Sequence, residues 1–421
     1  MKLRSWFLTW LLLMTVSIAL SACMGLLPLE EEPVTGEFGP QTIPQELQTK
    51  TFEELWQNLQ ENYIYFETAD VDWDGLREEY LERIQAGLTP QEFTAMIDEL
   101  EKELPPGSLV FESRQERIER ETTDSSTYEG IGAFVGFVEE PEPHIVLLDV
   151  IEGSPAERAG LEAHDSIFEI DGSPILLEEG MSAVERIRGP AGTSVTLIVQ
   201  SPGTSPRSIE VGRGRLTSTG RLKAFNISNR DYGYLLFPPI SYETLPQDVE
   251  QSLEEFTANR RMEGLILDLR IASSSRGWPL ESLYTMFHDG EMGEFYNRSN
   301  EQTISVTGQD LNGSQEVPLV ILVGENTSGL PEVLAGSLQT QGRATVIGEN
   351  TPGAVETATS FYLPDGSQAF IESTSFVLPN GDQIGTTGVI PDISMDVGWD
   401  EVLPDRDPVL DRAILYLDLQ P

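Results

Sequence analysis

Apolar positions along this chain follow two rhythms. From residue 51 to about 103 they recur at helical spacing. Phe52, Leu55, Trp56, Leu59 and Tyr63 mark one face, then Leu76, Tyr80 and Ile84, then Phe93, Met96, Ile97 and Leu100. Thr51 followed by Glu54 reads as a capping box opening the first helix. Asp72-Trp73 opens the second, and Thr89-Pro90 caps the third. From about 230 to 400 the apolar residues instead form short, mainly apolar runs at 234–237, 264–269, 320–323 and 344–348, each suited to a strand buried on both faces. Helical spacing returns between the runs, at Leu253 and Phe256 and again at Leu334 and Leu338. The pattern predicts a small helical domain followed, after an intervening region, by an α/β core. The stretch 318–356 contains a strand, tight loop, helix, strand and second loop. Such a unit presents loop atoms and helix N-terminal amides at one sheet edge, where α/β enzymes place nucleophiles and oxyanion donors.

The two ends of the helical domain differ in character. Lys2 and Arg4 precede an apolar run from 6 to 20, followed by Leu20-Ser21-Ala22-Cys23. A basic start, an apolar middle and small residues before the chain's single cysteine read as a bacterial lipoprotein signal over 1–22, with Cys23 as the lipidated residue. A short membrane anchor or an ordinary secretory signal is the plainer alternative. Residues 23–48, rich in Pro, Glu and Gly, read as a tether. The expected location is therefore extracytoplasmic, in the cell envelope. Charge sharpens the picture: 26 basic against 70 acidic residues, 26 − 70 = −44. That excess disfavours nucleic acid and anionic lipid surfaces as partners. One cysteine excludes intrachain disulfides, and three histidines leave little material for a metal site or a histidine base. No metal or cofactor is expected.

Between the two patterns, residues 127–216 resemble a PDZ domain. Gly130, Ile131, Gly132 and Ala133 stand where such domains carry the loop whose amides meet a peptide's terminal carboxylate, the peptide then adding as a strand. The phrases GSPAERAGL (153–161), DSIFEIDG (165–172) and IRGPAGTSVTL (187–197) follow in PDZ-like order. Glycines there serve ordinary turns equally well.

The 318–356 stretch resembles the serine-peptidase core of the C-terminal processing (tail-specific) peptidases and their tricorn relatives. Those proteins carry a loop of the type SASASE, a helix, then GRA-x-x-x-GE. Glu332, Gly342-Arg343-Ala344 and Gly348-Glu349 fit, as do VDWDGLREEY (71–80) near the N-terminus and the closing phrase 375–392 with its Asn380-Gly381 turn. The resemblance implies a ClpP/crotonase-like core. It also implies four positions for the chemistry, and here they hold other residues. The nucleophile falls on Gly329 and the lysine base on Ala354. The histidine base of tricorn-like members falls on Ser108, and their glutamate nearest Gly385. After Arg270 the family's N-x-P-G-G is replaced by 271–277, IASSSRG, which reads as a flexible polar loop. Ser328 remains as an alternative nucleophile, with Glu325 and Glu332 as the only nearby acids, although a turn or helix-capping role is the plainer one.

The expected architecture is multidomain α/β. The signal (1–22) and tether (23–48) come first, followed by the helical domain (49–126) and a β-rich PDZ domain (127–216). The peptidase-like core (217–400) and a C-terminal segment (401–421) complete the chain. The expected function is binding of polypeptide C-termini by a lipid-anchored protein with a degraded catalytic site. An active serine endopeptidase working through Ser328, and a structural envelope protein whose PDZ domain binds nothing, are the alternatives.

Overall fold

A computed structural model describes residues 44–420 apart from 106, 123–127, 217–219, 259, 275–276, 386 and 404. Cys23, the signal and nearly all of the tether lie outside the described residues. The first helix, Gln45–Asn62, starts inside the stretch read as tether and six residues before Thr51. The sequence placed a cap where there is helix interior: Thr51 is buried and Glu54 exposed. Long-range contacts hold the extra turns. Gln45 Nε2 donates to the carbonyls of Ile84 and Gln85, and Gln48 Nε2 to that of Leu88. The other two starts stand as read. Asp72 accepts from the Gly75 amide ahead of Trp73–Gln85. Thr89 and Glu92 form a reciprocal capping box ahead of Pro90–Glu103. The apolar faces of the three helices meet one another and the strand Gln368–Val377, burying Phe52, Leu55, Tyr80, Phe93 and Leu100 with Ala369 and Ile371.

The core is a six-stranded sheet in the order Lys223–Asn226, Tyr232–Leu236, Gly264–Asp268, Leu319–Val323, Ala344–Gly348 and Ile393–Ser394, parallel except at its first pair. Leu245–Thr257, Leu280–Phe287 and Leu330–Thr340 cover one face. Pro408–Leu417 covers the other, where Val409, Ala413 and Leu417 pack on Ile266, Val320, Leu322 and Ile347. The C-terminal segment is thus a layer of the core rather than an appendage. The four central strands are apolar apart from Asp268 and Thr345, because both faces are buried. A second, antiparallel sheet carries Gln368–Val377 between Val110–Glu112 and Gly290–Tyr296, with Thr357–Tyr362 as its partner hairpin strand.

The PDZ-like domain is an antiparallel sheet in the order Ala133–Val138, His144–Val150, Ser166–Ile170, Ser194–Gln200 and Arg207–Gly212. Tyr128–Gly130 pairs with Gly214–Leu216, so the domain's entry and exit lie side by side. Its interior holds Ile145, Leu147, Ile167, Val195 and Leu197.

One buried charge cluster joins these layers. Arg270, at the end of Gly264–Asp268, donates to Asp268 through Nε (3.0 Å) and Nη2 (2.5 Å), and to Asp407 through Nη1 (3.1 Å) and Nη2 (2.6 Å). Tyr234 Oη donates to Asp268 at 2.7 Å. Asp407 also caps the final helix, accepting from the amides of Val409 and Leu410. Removing one member of such a cluster strands the rest in low dielectric. Arg270→Ala should therefore cost about 3–5 kcal/mol of unfolding free energy in urea titrations. A loss below 1 kcal/mol would show that water reaches the two aspartates.

Candidate functional site

The loop 324–329 ends the buried strand Leu319–Val323 and feeds the helix Leu330–Thr340. Thr327 Oγ1 donates to the Leu269 carbonyl and accepts from the Gly324 amide, tying the loop to the neighbouring strand's end. Gly329 caps the helix with φ 73°, in the left-handed region where glycine is unstrained. Its amide donates to Glu332 Oε2 at 2.8 Å. Glu332 is fully buried, and its other oxygen accepts from the Gly353 amide (2.6 Å) and Thr351 Oγ1 (2.5 Å). Burial raises the Glu332 pKa against the pull of these donors. Glu332 is therefore a staple between the 324–329 and 351–354 loops, and its oxygens are already engaged.

Position 329 is crowded by a residue from another loop. A Cβ added to Gly329 would lie 2.3 Å from Ser274 Oγ and 2.6 Å from Ser274 Cβ. Ser274 Oγ instead accepts from the Leu330 amide at 2.5 Å, capping the helix from a distance where Gly329 has no side chain to do so. The 271–274 segment is correspondingly fixed, contrary to its reading as a free polar loop. The Ser274 amide donates to the Ser328 carbonyl, the Ser328 amide to the Ala272 carbonyl, and Ser273 Oγ to the Pro239 carbonyl. Ser274 was not singled out in the sequence. The missing glycines after Arg270 were the available signal, but only tertiary contact pairs residue 274 with 329.

The other expected positions divide. Ala354 is beside the site: its carbonyl lies 3.4 Å from the same Cβ position. Ser328 is not the helix cap, since that place belongs to Gly329 and the Glu332 contact to the Gly329 amide. Glu325 interacts electrostatically with Asp400 and His144, and burial followed by the Asp400 charge raises its pKa. Ser108 is buried and donates to the Pro105 carbonyl at 2.6 Å, closing a turn. Two carboxylates occupy the space around these altered positions. A Cβ at Gly385 would lie 2.1 Å from Glu356 Oε1, and one at Gly107 lies as close to Glu372 Oε1. Tyr65 Oη and Ser375 Oγ both donate to Glu356. Burial, then the Glu356 charge, pushes the Glu372 carboxyl up to about 7. In the PDZ-like domain, Gly130 ends a strand, and the carbonyls of Ile131 and Gly132 accept from the Ala156 and Ile151 amides. Peptide planarity then turns the amides of Gly132 and Ala133 the other way. Gly132 has φ 88°, and a Cβ there would meet Ser154 at 2.4 Å. Among the described residues no group of acids, histidines or cysteines is arranged to hold a metal ion.

A serine at 329 must collide with Ser274 and adopt a left-handed backbone. Gly329→Ser should therefore destabilise by about 1–3 kcal/mol. In the Ser274→Gly background its cost should shrink, because the collision is gone and only the backbone strain remains. Equal cost in both backgrounds, measured by urea unfolding, would refute the contact.

Comparison with known proteins agrees with this architecture. Residues 231–395 match peptidase family S41, residues 44–101 the tricorn protease C1 domain and residues 146–201 a PDZ domain. The PDZ match begins after Gly130–Ala133 in the chain, so those four residues rest on geometry alone. A carboxyl-terminal-processing protease of Picosynechococcus is 28% identical, the alignment covering 80% of this chain and 81% of that protein. One of Synechocystis is 27% identical over 92% and 87%. Among solved structures, the photosystem II D1 C-terminal processing protease superposes with a TM-score of 0.63 at 23% identity, covering 85% of this chain and 95% of that one. The chain thus carries tricorn C1, PDZ and peptidase family S41 regions in that order, and along most of its length it is similar to C-terminal processing proteases.

Proposed function

We propose that this chain is a lipid-anchored, extracytoplasmic member of the C-terminal processing peptidase family that holds polypeptide C-termini in the PDZ domain without cutting them. The observation that carries the reading is the exchange at the helix N-terminus: glycine at 329 and the Ser274 side chain in the space a residue-329 side chain would need. A serine becomes nucleophilic at neutral pH only beside a base. Position 354 is alanine, position 108 is a serine tied to its own turn, and both Glu332 oxygens are occupied. The outward amides of Gly132 and Ala133 support capture of a terminal carboxylate. The relatives' names as carboxyl-terminal-processing proteases point to the same class of ligand.

One observation favours a second reading. Ser274 places a hydroxyl at the positive end of an eleven-residue helix. This makes Ser274, more than Ser328, the serine to exclude.

The test uses the full chain with an unfolded polypeptide and with peptides of free, apolar C-terminus. Binding should weaken on amidation of that terminus by about 1.5–3 kcal/mol, the worth of a charge-assisted hydrogen bond. No cleavage and no fluorophosphonate labelling should accompany it. Equal affinity for acid and amide would remove the carboxylate loop. Cleavage abolished by Ser274→Ala or Ser328→Ala would make the chain an enzyme and identify its nucleophile.

The anchoring part has its own check. The mature N-terminus should carry a diacylated or triacylated Cys23 by mass spectrometry, and an intact Met1 or an unmodified Cys23 would refute it.

A further inference from the structure

We infer that docking of the PDZ domain on the core is a pH-set latch, closed in mildly acidic surroundings and loosened above neutrality, with His144 and Asp400 as its two halves. The inference does not depend on whether the core cuts peptides.

The geometry of the interface carries it. A single strap, residues 395–401, runs from the core sheet to the PDZ sheet. Trp399 Nε1 donates to the Leu147 carbonyl at 3.1 Å, and the Trp399 carbonyl accepts from His164 Nδ1 at 2.7 Å. The Trp399 ring lies 4.3 Å from that of His164, with the Arg270 guanidinium 5.0 Å away on the core side. Val146, Leu148, Ile271 and Trp399 form the small apolar patch of the contact. Beside it, His144 of the PDZ strand meets Asp400 of the strap, Nε2 to Oδ2 at 3.2 Å. The His144 side chain is only 1% exposed, and its Nδ1 is held by the Glu142 carbonyl. A buried imidazole therefore faces a carboxylate across a domain boundary, where its charge decides the sign of the contact.

The neighbouring groups act in the same direction. Glu349 and Glu325 line the cavity under Trp399 and Val397, together with Arg270. Burial, then Glu325 and Asp396, pushes the Glu349 carboxyl up to about 7. Glu325 is raised as well, by burial and by Asp400, but much of its side chain is in water and its contribution is smaller. For His144, burial works against the charge, yet the bond to Asp400 leaves its pKa raised. The bond to His144 lowers that of Asp400. A raised histidine pKa stabilises docking at low pH, and that stabilisation is lost as pH rises through it. A raised carboxyl pKa does the same, because the docked form prefers the protonated acid. Rising pH thus removes the cation at His144 and adds anions at Glu349 and Glu325, leaving them beside Asp396 and Asp400. Arg270 cannot answer them, because Asp268 and Asp407 already hold it.

One other group bounds the window. His164 has its pKa lowered by burial and by Arg270, so it charges only in more acidic solution, and it opposes docking there. Lys223 and Asp149 pair across the same boundary at 2.7 Å.

The test places a donor and an acceptor dye at Glu178→Cys on the PDZ domain and Glu254→Cys on an exposed core helix, in the full chain with Cys23→Ser. Transfer efficiency should change reversibly between about pH 6 and 8 while far-ultraviolet circular dichroism stays constant. Glu349→Gln should move the midpoint to higher pH. Asp400→Asn should move it lower, by removing the charge that holds the histidine proton. His144→Gln should reduce docking at pH 6, and Asp400→Asn tests the same contact if that variant misfolds. An efficiency independent of pH, a midpoint unmoved by both Glu349→Gln and Asp400→Asn, or a transition that coincides with loss of circular dichroism would overturn the latch.

Discussion

The guanidinium of Arg270 is the interaction on which the remaining structure depends. It sits where the central strand ends, and it must be neutralised there because it is buried. Asp268 supplies one carboxylate from the same strand, two residues back. Asp407 supplies the other from far along the chain. Satisfying the charge therefore fixes the start of the last helix against the sheet, and that helix covers the sheet's second face. The same guanidinium faces the Trp399 ring, so the strap that touches the PDZ domain is positioned by the charge that closes the core. Pairs of this kind contribute little net stability against an apolar substitute, but they are very costly to break. Arg270 accordingly acts as a constraint on arrangement: sheet end, final helix and strap have one mutual placement that leaves no charge unpaired.

The candidate site shows how a loop can be held in form by contacts that involve no nucleophile. The scaffold of the loop is the Glu332 carboxylate, with donors from Gly329, Thr351 and Gly353, and none of these contacts needs a nucleophile. The helix N-terminus still requires a cap, because its first amides have no partner within the helix. Ser274 supplies it from a neighbouring loop and in doing so fills the space beside Gly329. The two residues are matched: a side chain at one excludes the present side chain at the other. Around the altered base positions, Glu356 and Glu372 approach Gly385 and Gly107 so closely that a Cβ at either glycine would collide with them. The space beside these two glycines is taken by a half-buried acid pair, with Tyr65 donating to Glu356.

Much of this was legible in the order of residues. Helical spacing identified the three N-terminal helices and their buried faces, because one stripe of each must be apolar to meet the others. Mainly apolar runs identified the central strands, because a parallel sheet is covered on both sides. Gly329, Ala354 and Ser108 could be read as replacements, since motif spacing is a property of sequence. What the spacing missed was local competition with tertiary contact. Thr51 and Glu54 have the residues of a cap, yet Gln45 and Gln48 reach the carbonyls of Ile84, Gln85 and Leu88 and extend the helix past them.

By itself, then, the sequence determined the order of the helical, PDZ-like and core regions and the sheet-forming runs, which follow from periodicity and short-range spacing. Tertiary structure alone decided that Ser274 stands against Gly329, that Glu356 and Glu372 close on Gly385 and Gly107, and that Asp400 meets His144. These pairs are separated by tens to hundreds of residues, and no local pattern encodes them. They exist because buried charges, unsatisfied amides and vacated volume must each find a partner, and the folded chain is what sets which partners are within reach.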